Sequence, residues 1–139
     1  MIALETGAGR PLIALHGFGV DHRIMLPLEQ MTSGMPWRQI HIDLPWAPAA
    51  TATASSAREV AAGVLAEIDE HLKGEPFAVI GNQDDVVGYE DGLALRAHYP
   101  RGSFVVVDGA GHNVHLERPE LTGAAVRDWL DRMDGEAAP

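Results

Sequence analysis

Residues 79–85, Val79-Ile80-Gly81-Asn82-Gln83-Asp84-Asp85, run from an apolar segment through a glycine into two acids. A short apolar run bounded by turn signals is typical of a strand buried in a parallel sheet, and here it begins at Phe77. The glycine predicts a turn at the carboxyl end of this strand. The two acids therefore follow the strand directly, where such sheets place binding and catalytic groups.

Four more strands are predicted around this segment, from short apolar or alternating runs bounded by glycine or proline. They cover residues 1–6, 11–15, 39–44 and 103–108. Helices are predicted between them, at residues 21–31, 56–74, 93–99 and 119–133, where apolar residues recur every three or four positions. Strands alternating with helices predict an α/β fold, a three-layer sandwich with a mainly parallel sheet.

Capping residues mark the helix ends. Asp21 can cap the first helix, which Pro27 makes short or irregular. Ser56, with Glu59 three positions later, forms a capping box for the second helix. Pro119 suits the first turn of the last helix. The predicted buried face of that helix carries Val126, Trp129, Leu130 and Met133.

The composition is that of a soluble globular protein, and it excludes several classes of function. The 139 residues predict one domain at 1–134, followed by a flexible tail at 135–139. There is no cysteine, so disulfides and thiol chemistry are excluded. The net charge of −10 argues against nucleic-acid and membrane partners. With no signal peptide and no run of about 20 apolar residues, we expect a cytoplasmic protein.

The seven histidines require a check for metal binding. His16 and His22 are six positions apart, and His112 and His115 are three apart. Both pairs lie in glycine- or asparagine-rich turn sequence, and neither forms the helical H-E-x-x-H pattern of zinc sites. We therefore expect no metal site and no cofactor. His16 and His115 are interpreted as hydrogen-bonding residues of turns and loops.

The chemically suggestive residues follow the predicted strands in four loops. These loops are residues 16–19, 44–56, 81–85 and 109–115. Because the carboxyl ends of parallel strands meet at one edge of a sheet, all four loops are expected at the same edge. This coincidence predicts an active site there.

The loops, taken in order, resemble those of the α/β-hydrolase family. His16-Gly17-Phe18-Gly19 looks like the family's oxyanion-hole loop, and Asp43-Leu44-Pro45 looks like the turn after the neighbouring strand. Residues 81–87 look like the segment that carries the triad acid, and residues 109–119 closely match the loop that carries the triad histidine.

The resemblance implies a minimal α/β-hydrolase-like fold and an ester-hydrolysing site. Asp84 matches the position of the catalytic acid, and His112 matches that of the catalytic histidine. Gly17 and Phe18 match the oxyanion hole, in which the Phe18 N–H would supply one donor. The second donor normally follows the nucleophile, so the implied hole is partial.

The nucleophile elbow G-x-S-x-G of the family is absent. The serines are Ser33, Ser55, Ser56 and Ser103, and none has glycines two positions to either side. Gln83 stands where the nucleophile would be, and Asp85 stands where the elbow needs glycine. We interpret the chain as an internally shortened member in which the elbow helix, the cap region and at least one strand are missing.

Three mechanisms remain open for a weak hydrolase of small activated esters. His112, oriented by Asp84, could activate a water that attacks the ester. Another hydroxyl, from Ser55 or Ser56, could replace the missing serine, although Ser56 is better explained as the helix cap. Asp84 could itself attack, in which case Asp85 would have to orient His112.

The alternative is an inactive remnant that acts as a self-associating binding or interaction module. Loss of sheet strands would expose apolar surface or open backbone edges, which proteins normally cover. We therefore expect a homodimer, with the possibility of exchanged elements.

Overall fold

The structure is a computed structural model that describes residues 2–17, 19–48, 56–71, 77–86 and 88–135. It divides into two compact units, Met1–Lys73 and Gly74–Pro139. The predictions for Phe18, Ser55, the helix end at residues 72–74 and residues 136–139 of the tail lie outside the described residues. The single domain at 1–134 remains a prediction.

The first unit contains a three-stranded sheet in the order β1-β3-β2. Its strands are β1 (Ile2–Gly7), β2 (Arg10–Leu15) and β3 (Trp37–Ile42). β1 runs antiparallel to β3, and β2 runs parallel to it. Gly7 and Gly9 turn the chain between β1 and β2 with φ of 75° and 113°, which side chains other than glycine rarely adopt.

The helices of the first unit begin where the sequence predicts. A 3₁₀ turn at His22–Met25 is capped by Asp21, whose carboxylate accepts the Arg23 N–H at 3.0 Å. Pro27 then opens a separate five-residue helix, α1 (Pro27–Met31), so the predicted interruption is confirmed. The longer helix α2 (Ala57–His71) follows Ser56, whose Oγ accepts the Glu59 N–H at 3.3 Å.

The middle strand β3 is buried on both faces. Ile40 and Ile42 lie in an apolar cluster against which Val60 and Val64 of α2 pack. Gln39 and His41, which alternate with them, are buried too. The strand starts two residues before the predicted 39–44 and ends at Ile42.

Buried hydrogen bonds satisfy some of the polar atoms in the Gln39 and His41 side chains. The Gln39 amide donates to Thr32 Oγ1 at 2.5 Å, and the Thr32 hydroxyl donates to the Leu28 carbonyl at 3.0 Å. His41 Nε2 lies 3.2 Å from Gln39 Oε1. Burial lowers the pKa of His41, since the charged ring would lose its hydration, and the nearby Glu29 only partly opposes this effect. His41 is therefore a neutral core residue.

The second unit contains a parallel pair of strands, β4 (Phe77–Gly81) and β5 (Ser103–Val107). Helix α3 (Tyr89–Ala94) and a 3₁₀ turn at Leu95–Ala97 lie between them, earlier than the predicted 93–99. A four-residue helix, α4 (Val114–Glu117), was not predicted, because one turn has no visible period. Helix α5 (Pro119–Gly135) closes the chain and includes the first residue of the predicted tail.

The core of the second unit joins its helices to the strands. Val107, Ala110 and Val114 form a buried cluster with Val79 and Val105 packed against it. The predicted buried face of α5 is confirmed, and Thr122 and Gly123 are buried as well. The Thr122 hydroxyl donates to the Val114 carbonyl at 3.2 Å, which ties α5 to α4.

The α/β class is confirmed within both units. Of the three strand pairings in the described residues, two are parallel and one is antiparallel. The three-layer sandwich over the whole chain remains a prediction. No helix in the described part of the chain has the length and apolar character needed to cross a membrane.

The end of β4 leaves no space for a side chain at Gly81. A Cβ atom there would overlap the carbonyl oxygens of Ala110 and Gly111, in the loop after β5. The backbone of one strand end therefore lies directly against the loop that follows the other. Only glycine allows this approach without a shift of the main chain.

We predict that Gly81→Ala destabilises the protein, because either β4 or the loop must move to make room for the methyl group. The expected loss in the free energy of unfolding is about 1–3 kcal/mol, measured by urea denaturation. Gly135→Ala is the matched control, since no atom lies within 4 Å of its added Cβ. Equal stability of both variants and the wild type would contradict the close approach.

A second prediction concerns acid stability. Hydrogen bonds from the Arg23 guanidinium lower the pKa of Asp21 from 3.8 to about 2. Because this pKa is lower in the folded protein than in the unfolded chain, the ionised carboxylate stabilises the fold at pH values above the unfolded-state pKa. This stabilisation is lost as the pH falls through about 2. Asp21→Asn should therefore be less stable than wild type at pH 7, and the difference should close as the pH falls toward 2.

Urea denaturation from pH 7 downward measures this difference. The control is Asp128→Asn, which removes an exposed pair with Arg132 Nε at 3.1 Å and should change stability by no more than about 0.5 kcal/mol. A stability gap for Asp21→Asn that does not change with pH would rule out the charge as its cause.

Candidate active site

The loops after β4 and β5 meet at the carboxyl edge of the second unit, because the two strands are parallel. Their backbones are joined by a hydrogen bond from the Gln83 N–H to the Ala110 carbonyl at 2.8 Å. The Asn82 side chain adds two more links. Its amide donates to Asp108 Oδ1 at 2.6 Å, and its oxygen accepts the Gly109 N–H at 3.0 Å.

Asp84 and His112 face each other across these loops. Asp84 Oδ2 lies 3.0 Å from His112 Nδ1, and the other carboxylate oxygen of Asp84 accepts the Val86 N–H at 2.9 Å. The Asp84 side chain is 8% exposed, whereas that of His112 is 39% exposed. The acid is thus held inside, and the imidazole reaches solvent.

The partner of Nδ1 fixes the state of the neutral His112 ring. An ionised carboxylate only accepts hydrogen bonds, so Nδ1 carries the proton and donates to Asp84. Nε2 then keeps its lone pair and can accept a proton. The sequence predicts both residues, and the structure brings them into contact; their catalytic roles remain a prediction.

The first unit positions the loop that resembles an oxyanion hole. His16 is buried, and its Nε2 accepts the Leu44 N–H at 2.9 Å, so its Nδ1 donates to the Gly17 carbonyl at 2.7 Å. The Trp46 indole donates to the same carbonyl at 3.0 Å. The interpretation of His16 as a loop hydrogen-bonding residue is confirmed. The oxyanion role of Gly17 and Phe18 remains a prediction.

A second acid–imidazole pair, which the sequence reading missed, lies in the first unit. Asp43 Oδ1 accepts the backbone N–H of His22 at 2.8 Å and lies 2.9 Å from its ring Nδ1. Burial alone would raise the pKa of Asp43, but these hydrogen bonds outweigh burial and lower it. The Asp-Leu-Pro turn was the only signal for this pair, and it did not identify the histidine.

The two pairs differ in what the carboxylate does. One oxygen of Asp43 binds both the ring and the main chain of His22, and the His22 side chain is only 22% exposed. Asp84 binds the ring of His112 with one oxygen and the Val86 N–H with the other, and the His112 ring is more exposed. The Asp43–His22 pair therefore joins the ring and the main chain of one residue, whereas the Asp84–His112 pair leaves its ring open to solvent.

Among the described residues of the second unit the one serine is Ser103, which begins β5 at the end of the strand away from His112. Ser56 is occupied as the cap of α2, as the sequence predicts. Gln83 and Asp85 are both exposed, and neither side chain is hydroxylic. Within the described ranges, no group of three histidine, aspartate or glutamate residues could hold a metal ion.

Neither a protein-family model nor a curated protein matches this sequence. Solved structures do resemble it. A thermophilic esterase from Thermogutta terrifontis, studied with malate bound, is 14% identical over 93% of this chain and 92% of its own, with a TM-score of 0.66. A predicted CIB-like hydrolase from Thermoplasma acidophilum is 16% identical over 87% and 86%, with a TM-score of 0.69.

A third similar structure is an alpha-beta serine hydrolase homologue from Coxiella burnetii. It is 15% identical over 92% of this chain and 89% of its own, with a TM-score of 0.61. At these identities the likeness concerns the fold. The resemblance drawn from the four loops is thereby confirmed at that level, and the internal shortening remains a prediction. The chain has an α/β-hydrolase-like fold.

Proposed function

We propose that this protein is a weak hydrolase of small activated esters. In this proposal His112 is the general base that activates a water, and Asp84 orients and stabilises the imidazole. The observation that carries the proposal is the 3.0 Å contact between Asp84 Oδ2 and His112 Nδ1, which joins a buried acid to a solvent-exposed ring.

The chemical step uses the free nitrogen of His112. A water bound at Nε2 transfers a proton to it while the water oxygen attacks the carbonyl carbon of the ester. The tetrahedral intermediate then expels the alcohol or phenol, and the imidazolium returns its proton to that leaving group. General-base assistance of this kind contributes about 100- to 10,000-fold in rate.

Asp84 contributes in two ways. It holds the ring in the tautomer that leaves Nε2 unprotonated, and its negative charge stabilises the imidazolium that forms during attack. Because the Asp84 side chain is only 8% exposed, water screens this attraction less than it would at the surface. His112→Ala and Asp84→Ala should therefore impair the same step.

Water is the favoured nucleophile over the side-chain alternatives. Ser56 caps a helix in the first unit, and Gln83, at the expected nucleophile position, has only an amide. Direct attack by Asp84 would require this carboxylate to give up its bonds to His112 and Val86. A water needs none of these rearrangements.

The proposed activity is weak for a physical reason. A missing oxyanion-hole donor typically costs about 100- to 1,000-fold in rate, and the elbow that supplies one such donor is absent from the sequence. Activated esters tolerate this loss because their leaving groups depart easily. The similarity to an esterase fold supports the ester class.

We predict that wild-type protein hydrolyses p-nitrophenyl acetate and that His112→Ala and Asp84→Ala lose most of this turnover. In His112→Ala the rate in excess of uncatalysed hydrolysis should fall about 100-fold or more, because the general base is removed. His98→Ala removes another exposed histidine of the same unit and should retain full activity. His22→Ala, which breaks the other acid–imidazole pair, should also retain turnover in whatever fraction stays folded.

Two further measurements identify the mechanism. General-base attack by water predicts slower turnover in D₂O and no burst of p-nitrophenol, whereas an acylated side chain would give a burst. Labelling of the protein by a reactive-serine probe would contradict attack by water and would identify a serine as the nucleophile. Equal turnover in wild type, His112→Ala and Asp84→Ala would refute the proposed function.

The predicted homodimer is tested separately from the chemistry. Light scattering at micromolar concentration should give twice the monomer mass if missing strands leave surfaces that a second copy covers. A monodisperse monomer at that concentration would reject the homodimer, and with it the exchange of elements.

A further inference from the structure

We infer that Glu117 is a positioning residue for His112. Its carboxylate binds the peptide N–H groups on both sides of the histidine and so fixes the backbone from which the imidazole projects. The catalytic meaning of this role rests on the proposed function, but the role itself can be measured without turnover.

The contacts bracket the histidine. Glu117 Oε2 accepts the Gly111 N–H at 2.8 Å, and Oε1 accepts the Asn113 N–H at 3.1 Å. Each oxygen therefore serves one of the two neighbours of His112. Hydrogen bonds from peptide N–H groups to an ionised carboxylate are stronger than those between neutral groups, so this clamp is well suited to hold a loop.

Gly111 allows the carboxylate to come this close. A Cβ atom at that position would lie 3.3 Å from both oxygens of Glu117, which is tighter than ordinary packing. Asn113, on the other side, precedes helix α4 as its N-cap residue but makes no cap hydrogen bond with its own side chain. The Glu117 side chain instead reaches back to the Asn113 N–H.

The clamp is anchored in the core of the second unit. The Glu117 N–H donates to the Asn113 carbonyl at 3.0 Å, which places the residue at the end of α4. Val114, at the start of this helix, is buried with Val107 and Ala110, and its carbonyl accepts the Thr122 hydroxyl of α5. The carboxylate thus extends from a helix that packing holds in place.

Glu117 and Asp84 act on different parts of His112. Asp84 binds the ring at Nδ1, whereas Glu117 binds the main chain at the adjacent residues. The His112 ring is 39% exposed, so the packing around it is incomplete. Loss of the clamp should therefore allow the loop to shift and the ring to leave the carboxylate.

The test compares Glu117→Ala and Glu117→Gln with Glu120→Ala. Glutamine keeps one oxygen acceptor, so it should preserve one of the two bonds. Glu120 is an exposed glutamate in the first turn of α5 that forms no hydrogen bond or ion pair with the described residues, which makes it a matched control. All measurements are made well below the unfolding temperature of each variant.

The first readout is the tautomer of the neutral His112 ring, from ¹⁵N NMR with the signals assigned by their loss in His112→Ala. Wild type and Glu120→Ala should show the Nδ1–H form. Glu117→Ala should lose it as Asp84→Ala does, because the bond to the carboxylate is broken, and Glu117→Gln should be intermediate. A wild-type tautomer in folded Glu117→Ala would overturn the inference.

The second readout is turnover of p-nitrophenyl acetate. Displacement of a reacting group by about 1 Å can cost up to about 100-fold in rate, so Glu117→Ala should approach the loss in His112→Ala. A changed tautomer with unchanged turnover in every variant would support the positioning role and refute the proposed function. Lost turnover with a wild-type tautomer in Glu117→Ala would refute the positioning role alone.

Discussion

The close backbone contact between the end of β4 and the loop after β5 is the constraint on which the candidate site depends. With glycine at position 81, the strand end lies against the Ala110 and Gly111 carbonyls, and the next residues bond to the same loop through the Gln83 N–H. This contact sets the separation of the two loops before any side chain is considered. Asp84 and His112 then meet across it, with Oδ2 of the acid 3.0 Å from Nδ1 of the ring.

The regular elements were predictable because their signals are local. Apolar runs ending in glycine or proline identified the strands, and the spacing of Val126, Trp129, Leu130 and Met133 identified the buried face of α5. Helix α4 was not predicted, because a single helical turn shows no periodicity in the sequence. The burial of Gln39 and His41 was not predicted, because polar residues in a strand normally face solvent. Their hydrogen bonds to Thr32 and to each other exist only once the chain has folded.

The site was predictable only in part. Asp84 and His112 are 28 positions apart, and no periodicity links them; they were found through the resemblance of their loops. The Asp43–His22 pair and the Glu117 clamp depend on which backbone groups a folded loop presents, and that information is absent from local sequence. Chemically identical pairs can thus join a ring to its own main chain in one unit and leave a ring open to solvent in the other.

The bonds around Gln83 also limit how an engineer could restore a covalent nucleophile. The elbow of related folds is a strained turn, yet no non-glycine residue in the described part of this chain has a positive φ. The Gln83 N–H is committed to the Ala110 carbonyl, and the next residue supplies the acid. Serine at position 83 with glycine at position 85 would reproduce the sequence pattern G-x-S-x-G without the strained backbone of the elbow. In such a variant the serine would directly precede Asp84, whose carboxylate binds His112, so one short segment would have to carry both groups.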